Sequence, residues 1–171
     1  YSTVPYDIMY YHIIFISDTA ITEIATPEEL AQNAIQTANF VSKFAIKPKV
    51  ALTSYSNFGS NIKNESQRIR DAIALLDQSS QNFEYDGEMT PITALTSIGK
   101  KYYPFSDVAG NANVLIMPGL HSGRISTSII EALGNGKVIG PIIDGFEKSI
   151  HVASMYTDTE DLVNMALISV L

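Results

Sequence analysis

The residue types best suited to chemistry in this 171-residue chain fall in a few short runs. The densest is Ser54-Tyr55-Ser56-Asn57-Phe58-Gly59-Ser60. Hydroxyls and backbone N–H groups at a junction between strand and helix suit an anion such as phosphate, which makes Ser56, Asn57, Gly59 and Ser60 candidate ligand-binding residues. No Gly-Lys-Ser/Thr follows, so the run is not a Walker loop. The same cluster is ordinary turn chemistry, and on its residues alone the run reads as a turn first. A second run, Asp86-Gly87-Glu88, holds two carboxylates that share a face if the backbone is extended, as a metal or acid/base pair would require. The nearest histidine in sequence, His121, stands at no ligand spacing, so no metal site is expected and a tight turn is the plainer reading. Ser154, Asp161 and His151 have the residue types of a catalytic triad. Ser154 is not in a G-x-S-x-G elbow, which weighs against a hydrolase. Asp161 falls in the first turn of an expected helix, where a carboxylate is stabilised whatever its role. His12 and His151 fall on expected strands, as packing or hydrogen-bonded residues rather than ligands.

These runs must be positioned by the elements around them. Residues 10–17 (YYHIIFIS) read as a buried strand. Thr26-Pro27-Glu28-Glu29 is a capping box with Pro at the first helical position, and Leu30, Ala34, Ala38, Val41 and Ala45 continue it as one apolar stripe to about Ala45. Val50–Thr53 reads as a strand, Glu65–Asp77 as a helix with Ile69, Ala72, Ile73 and Leu76 on one face, and Phe83–Met89 as a strand broken by Asp86-Gly87. Pro91 opens a short helix. Ala112–Met117 is the strongest buried strand, and Pro118-Gly119 turns it toward a helix at about Gly123–Leu133. Gly134-Asn135-Gly136 stops that helix, Lys137–Ile143 is strand again, and a capping box from Thr157 to Glu160 precedes a helix from Leu162 to Leu171. Strands alternating with helices at this spacing predict an α/β fold, a mainly parallel sheet covered on both faces. Ligands in such folds sit beyond the carboxyl ends of strands, which directs attention to Ser54–Ser60, Pro118–Gly123 and Ser154–Asp161.

Bulk properties narrow the function classes. Hydrophobic residues make up 46% and charged residues 17%, a globular balance with enough chain for one core. A net charge of −7 argues against a nucleic-acid partner. Cysteine is absent, which removes disulfides, thiol catalysis and Cys-type zinc sites and fits a reducing cytoplasm. Ile13–Ile16 is too short to span a bilayer and no basic segment precedes it, so neither a membrane anchor nor a signal peptide is expected. The chain opens on Tyr1 rather than Met, which reads as a soluble piece of a longer polypeptide.

Several collinear blocks then carry a family resemblance. Ser17-Asp18-Thr19-Ala20, Pro27-Glu28-Glu29-Leu30-Ala31, Lys47-Pro48-Lys49-Val50-Ala51-Leu52 and the 54–60 run resemble the phosphate acetyl/butyryltransferase family in order and spacing. So do Tyr85–Met89, Gly110–Ile116, Ile139-Gly140-Pro141-Ile142 and Glu160–Met165. Ser-Asn-Phe-Gly-Ser at 56–60 and Lys148-Ser149-Ile150-His151-Val152 resemble the C-terminal phosphotransacetylase-like domain of bacterial NADP-dependent malic enzymes in particular. The resemblance implies a three-layer αβα Rossmann-like lobe of the kind shared with isocitrate and isopropylmalate dehydrogenases. Residues 1–150 would be the second lobe, and 151–171 a closing segment and helix of a first lobe that is otherwise missing.

What the resemblance implies about activity depends on the polar residues kept. Phosphotransacetylases move an acetyl group between acetyl phosphate and coenzyme A, whereas the malic enzyme domains are associated with acetyl-CoA regulation and oligomer assembly. The family's loop near the end reads Ser-Arg-Gly before Glu-Asp. Here Ser154 and Asp161 match, but Met155 and Tyr156 replace the Arg and Gly. The implied roles are deprotonation of the thiol by the Asp and charge stabilisation by the Ser and Arg. Losing the guanidinium would cost about 10²-fold in rate or more. Thr90 and Ile92 also replace a Gln and an Asp of the family pattern, and Arg124 is either a new phosphate contact or a solvated charge at a helix start. The expectation is a regulatory and assembly domain with vestigial Ser154 and Asp161, an acyl-CoA effector as ligand and a homo-oligomeric, cytoplasmic parent. NADP and a divalent metal would belong to a catalytic region outside this chain. An active phosphate acetyltransferase and a ligand-free scaffold are the alternatives.

Overall fold

The computed structural model describes residues 13–17, 21–134, 137–143, 150–153 and 155–170. Four strands form one parallel sheet: β1 (Phe15–Ser17), β2 (Lys49–Thr53), β3 (Glu84–Met89) and β4 (Val114–Ile116), in the order β1-β4-β2-β3. Helix α1 (Pro27–Ser42) connects β1 to β2, and α2 (Asn64–Asp77) connects β2 to β3. Two short helices, α3 (Pro91–Leu95) and α4 (Ser97–Tyr102), lead back to β4.

Side chains alternate along each strand and so feed two separate cores. Val50, Leu52, Val114 and Ile116 pack with Leu30, Ala34, Ala38 and Val41 of α1 and with Ile69, Ala72 and Leu76 of α2. Ala51, Leu115 and Met117 pack with Met89, Ala94, Val108 and Ala109 on the other side. The chain walks one way along the sheet from β1 to β3, then reverses to place β4. A right-handed crossover puts helices on opposite faces when the direction reverses, and α1 and α2 do lie opposite α3. This is the αβα arrangement that the alternation predicts.

The capping box forms as read: the Glu29 N–H donates to Thr26 Oγ1 at 3.2 Å, and the Thr26 N–H donates to Glu29 Oε2 at 2.8 Å. The helix ends at Ser42 rather than Ala45, because Ala45 takes a positive φ of 57° and Phe44 turns in to pack on Phe15 and Phe40. Strand β3 is continuous where a break at Asp86-Gly87 was expected. A Cβ on Gly87 would lie 2.6 Å from the Leu52 carbonyl oxygen, so glycine lets β3 run close beside β2. Glu88 is the extra residue between the pairs Leu52↔Gly87 and Thr53↔Met89, a bulge that frees its side chain from the regular pleat.

Three further expectations are corrected. Helix α5 (Leu120–Leu133) begins three residues early, with Gly119 as its N-cap. The strand expected over Lys137–Ile143 shrinks to β5 (Ile142–Ile143), which pairs antiparallel with β6 (Ile150–His151) in a separate two-stranded sheet. Pro141 has no N–H to give to a ladder, so regular pairing begins at the residue after it, while its carbonyl accepts the Val152 N–H at 3.1 Å. Helix α6 (Thr159–Ile168) is capped by Asp158, whose carboxylate accepts the Asp161 N–H at 2.8 Å, so the N-cap lies one residue beyond the expected Thr157. Among the described residues no helix is long and apolar enough to cross a membrane.

Candidate functional site

The β2–α2 loop carries most of the candidate ligand residues, and β3 holds it down. The Ser54 N–H donates to the Met89 carbonyl at 2.9 Å, the Phe58 N–H to the Glu88 carbonyl at 2.7 Å, and the Thr90 N–H to Asn57 Oδ1 at 2.8 Å. Phe58 and Gly59 both have positive φ, 45° and 81°. That conformation is unusual for a phenylalanine; here the ring packs on Tyr103 and Phe105 at centroid distances of 4.8 and 5.0 Å. The loop closes on itself through Asn57 N–H to Ser60 Oγ at 3.0 Å and Ser60 N–H to the Asn57 carbonyl at 2.9 Å.

Two further donors of the loop converge on an anion that belongs to the chain. Ser56 Oγ donates to Glu88 Oε1 at 2.7 Å, and the Gly59 N–H reaches the same oxygen at 3.3 Å. Arg70 Nη1 donates to Glu88 Oε2 at 2.6 Å. The Glu88 side chain is fully buried, 0% exposed. Arg70 is itself held, giving further bonds to the Asn61 carbonyl and to Gln67 Oε1. Behind Ser56 stand two more buried hydroxyls, Ser66 at 2.7 Å and Ser54 at 3.3 Å from Ser66.

Of the residues expected to act together, Ser56, Gly59 and Glu88 meet directly, while Asn57 and Ser60 complete the turn around them. Asp86 does not join Glu88: its Oδ1 accepts the Gly87 N–H at 2.8 Å, and no contact pairs the two carboxylates. Arg70 and Ser66 were not singled out from the sequence. Both lie on the apolar stripe of α2, at i+4 and i relative to each other with Ile69 and Ile73 on the same face. Two polar residues on such a stripe signal a buried polar contact.

A cleft of about 490 Å³ opens at the carboxyl ends of β2 and β4, with Ser54, Tyr55, Arg68, Pro118 and His121 in its wall. This is where the fold class places ligands. Arg68 donates to the Ala25 carbonyl at 2.7 Å. Arg124 lines a different groove along α5, beside Ile125, Ile129 and Leu133. The cationic group of the cleft is therefore Arg68, not the Arg124 singled out from the sequence.

At the other candidate centre Ser154 lies outside the described residues, as does His12. Asp161 is met by Lys137, whose Nζ lies 3.0 Å from Asp161 Oδ1 and 3.1 Å from Glu160 Oε2. The hydrogen bond to Asp161 raises the Lys137 ammonium above its ordinary pKa. Met155 and Tyr156 are each 87% exposed, and Ile92 is 55% exposed, so none of the three is a core replacement. The buried ring nitrogens of His151 have no hydrogen-bond partner among the described residues. No group of three or more His, Asp or Glu among the described residues is placed to hold a metal.

Comparison with known proteins places this geometry in a lineage. The profile of the family described as phosphate acetyl/butaryl transferase matches residues 4–170. An NADP-dependent malic enzyme of Rhizobium meliloti is 42% identical over 156 residues, covering 91% of this chain but 20% of that protein. A phosphate acetyltransferase of Bacillus subtilis is 34% identical, covering 90% of this chain and 48% of the relative. The crystal structure of a phosphotransacetylase from Streptococcus pyogenes superposes with a TM-score of 0.83 at 33% identity, covering 90% of this chain and 47% of that one. The chain thus spans about one fifth of the malic enzyme and about half of the phosphotransacetylases it matches.

Proposed function

The chain belongs to the phosphate acetyl/butaryl transferase family, and from that premise we propose that it is the C-terminal phosphotransacetylase-like part of a malic enzyme, working in regulation and assembly rather than in acyl transfer. The observation that carries this reading is the state of the position where the family keeps a guanidinium. Met155 stands there, 87% exposed, and Asp161 is engaged by Lys137. A thioether has no N–H with which to hold an anionic acyl phosphate. The greater identity to the Rhizobium meliloti malic enzyme than to the Bacillus subtilis phosphate acetyltransferase supports the branch.

In this reading the ligand is an acyl-CoA effector such as acetyl-CoA, and the parent is a cytoplasmic homo-oligomer. The parent oxidatively decarboxylates malate to pyruvate with NADP and a divalent metal in a region outside this chain. Residues 1–150 form the second lobe and 151–171 close the first. Calorimetric titration of the complete protein with acetyl-CoA tests it: saturable heat and a changed malate rate are expected. No heat and no effect on malate turnover would overturn the regulatory reading. The alternative, an active phosphate acetyltransferase, would need acetyl phosphate formation that is lost in Ser154→Ala and Asp161→Ala. Placement of Arg124 on the α5 groove, outside the cleft, weakens it as the substitute cation.

A further inference from the structure

The Ser56–Glu88–Arg70 cluster has the composition of an anion site. A hydroxyl, a backbone N–H in a loop of positive φ, and a guanidinium are the groups with which proteins hold free carboxylates and phosphates. Here they approach one carboxylate at 2.7, 3.3 and 2.6 Å. The bulge at Glu88 is what delivers that carboxylate, since an extra residue in one strand re-aims its side chain. The donors come from the β2–α2 loop and from α2, the acceptor from β3.

We infer that this cradle is an anion-binding site whose ligand is built in: Glu88 serves as a tethered carboxylate, and when its side chain is removed the site takes up a free small carboxylate. The inference rests on the geometry of these residues and not on the regulatory reading above. It also divides labour at this edge of the sheet. The Ser56 hydroxyl and the N–H groups of Asn57, Phe58, Gly59 and Ser60 are engaged within the loop or by Glu88, and the cleft beside them is walled by Tyr55 and Arg68.

The test uses the full chain with Glu88→Ala, which leaves Arg70 partnered only by neutral oxygens. Formate is the probe, because its carboxyl carbon carries only hydrogen and leaves room for the alanine Cβ. Thermal denaturation of E88A is expected about 6–20 °C below the parent chain. Formate should raise that midpoint saturably, while chloride at equal ionic strength should not. Neither the parent chain nor the E88A/R70M double variant should respond. A folded E88A that ignores formate overturns the inference. If E88A cannot be recovered folded, Glu88→Gln, Arg70→Met and their combination decide. A tethered ligand requires the double variant to lose clearly less than the sum of the single losses, and additive losses overturn it.

Discussion

Gly87→Ala is the sharpest probe of how β3 is seated. The added Cβ would lie 2.6 Å from the Leu52 carbonyl oxygen and 3.1 Å from Leu52 Cβ. Restoring ordinary van der Waals separation needs a displacement on the order of 0.5–1 Å. The obstacle is backbone of a central strand, and Leu52 is itself fully buried, so it cannot swing aside. Overpacking of this kind costs about 1–3 kcal/mol, and the unfavourable φ of 158° adds about 1 kcal/mol more. At about 2–4 °C per kcal/mol for a domain of this size, a fall in Tm of roughly 4–16 °C is expected. Gly59→Ala is the matched control: its φ is also positive, at 81°, but nothing lies within 4 Å of the added methyl, so only the strain of about 1 kcal/mol should appear. Urea unfolding of the three chains, with m held constant, measures both differences. Equal losses at the two glycines would refute the contact argument, because conformational strain alone would then account for both.

Two further outcomes follow from other parts of the molecule. Thr26→Ala removes the oxygen that accepts the Glu29 N–H, and a loss of about 1 kcal/mol is expected in urea unfolding, with Thr26→Ser retaining most of it. The Tyr85 phenol is pushed up to about 12 by burial first and then by its hydrogen bond to Asp77. The folded state therefore holds the proton that the unfolded chain releases near pH 10, and stability should be full below about pH 10 and decline through about pH 12. Tyr85→Phe should flatten that alkaline decline, read from denaturation midpoints across the pH range.

The parts of the fold that were legible in the sequence are those decided by neighbours in the chain. Thr26 and Glu29 cap a helix three residues apart, and Leu30, Ala34, Ala38 and Val41 repeat at helical spacing, so α1 declares itself locally. The continuous apolar runs of β2 and β4 mark strands buried on both faces, and they are. What was hidden depends on meetings between distant segments. Whether Asp86-Gly87 ends a strand or runs through it depends on how closely Leu52 approaches, which no local pattern encodes. The destination of Glu88 needed Arg70 from α2 and Ser56 from the preceding loop, and the Lys137 contact to Asp161 needed α6 to be packed beside the segment after α5. The expected strand over Lys137–Ile143 overweighted apolar content and underweighted Pro141.

The three buried serines beside Glu88 form a triangle, with Ser66 2.7 Å from Ser56 and Ser54 3.3 Å from both. A carboxylate bound by a guanidinium only accepts, so Ser56 must give it a proton, and Ser66 and Ser54 can both give to the Ser56 oxygen in turn. The acid thereby fixes the orientation of the nearest alcohol, Ser56, and biases the other two toward it. Exchanging that acid for a neutral amide would remove this bias: Ser56 could then give its proton inward, and the Ser54 hydroxyl in the wall of the cleft would be free to turn its own proton outward.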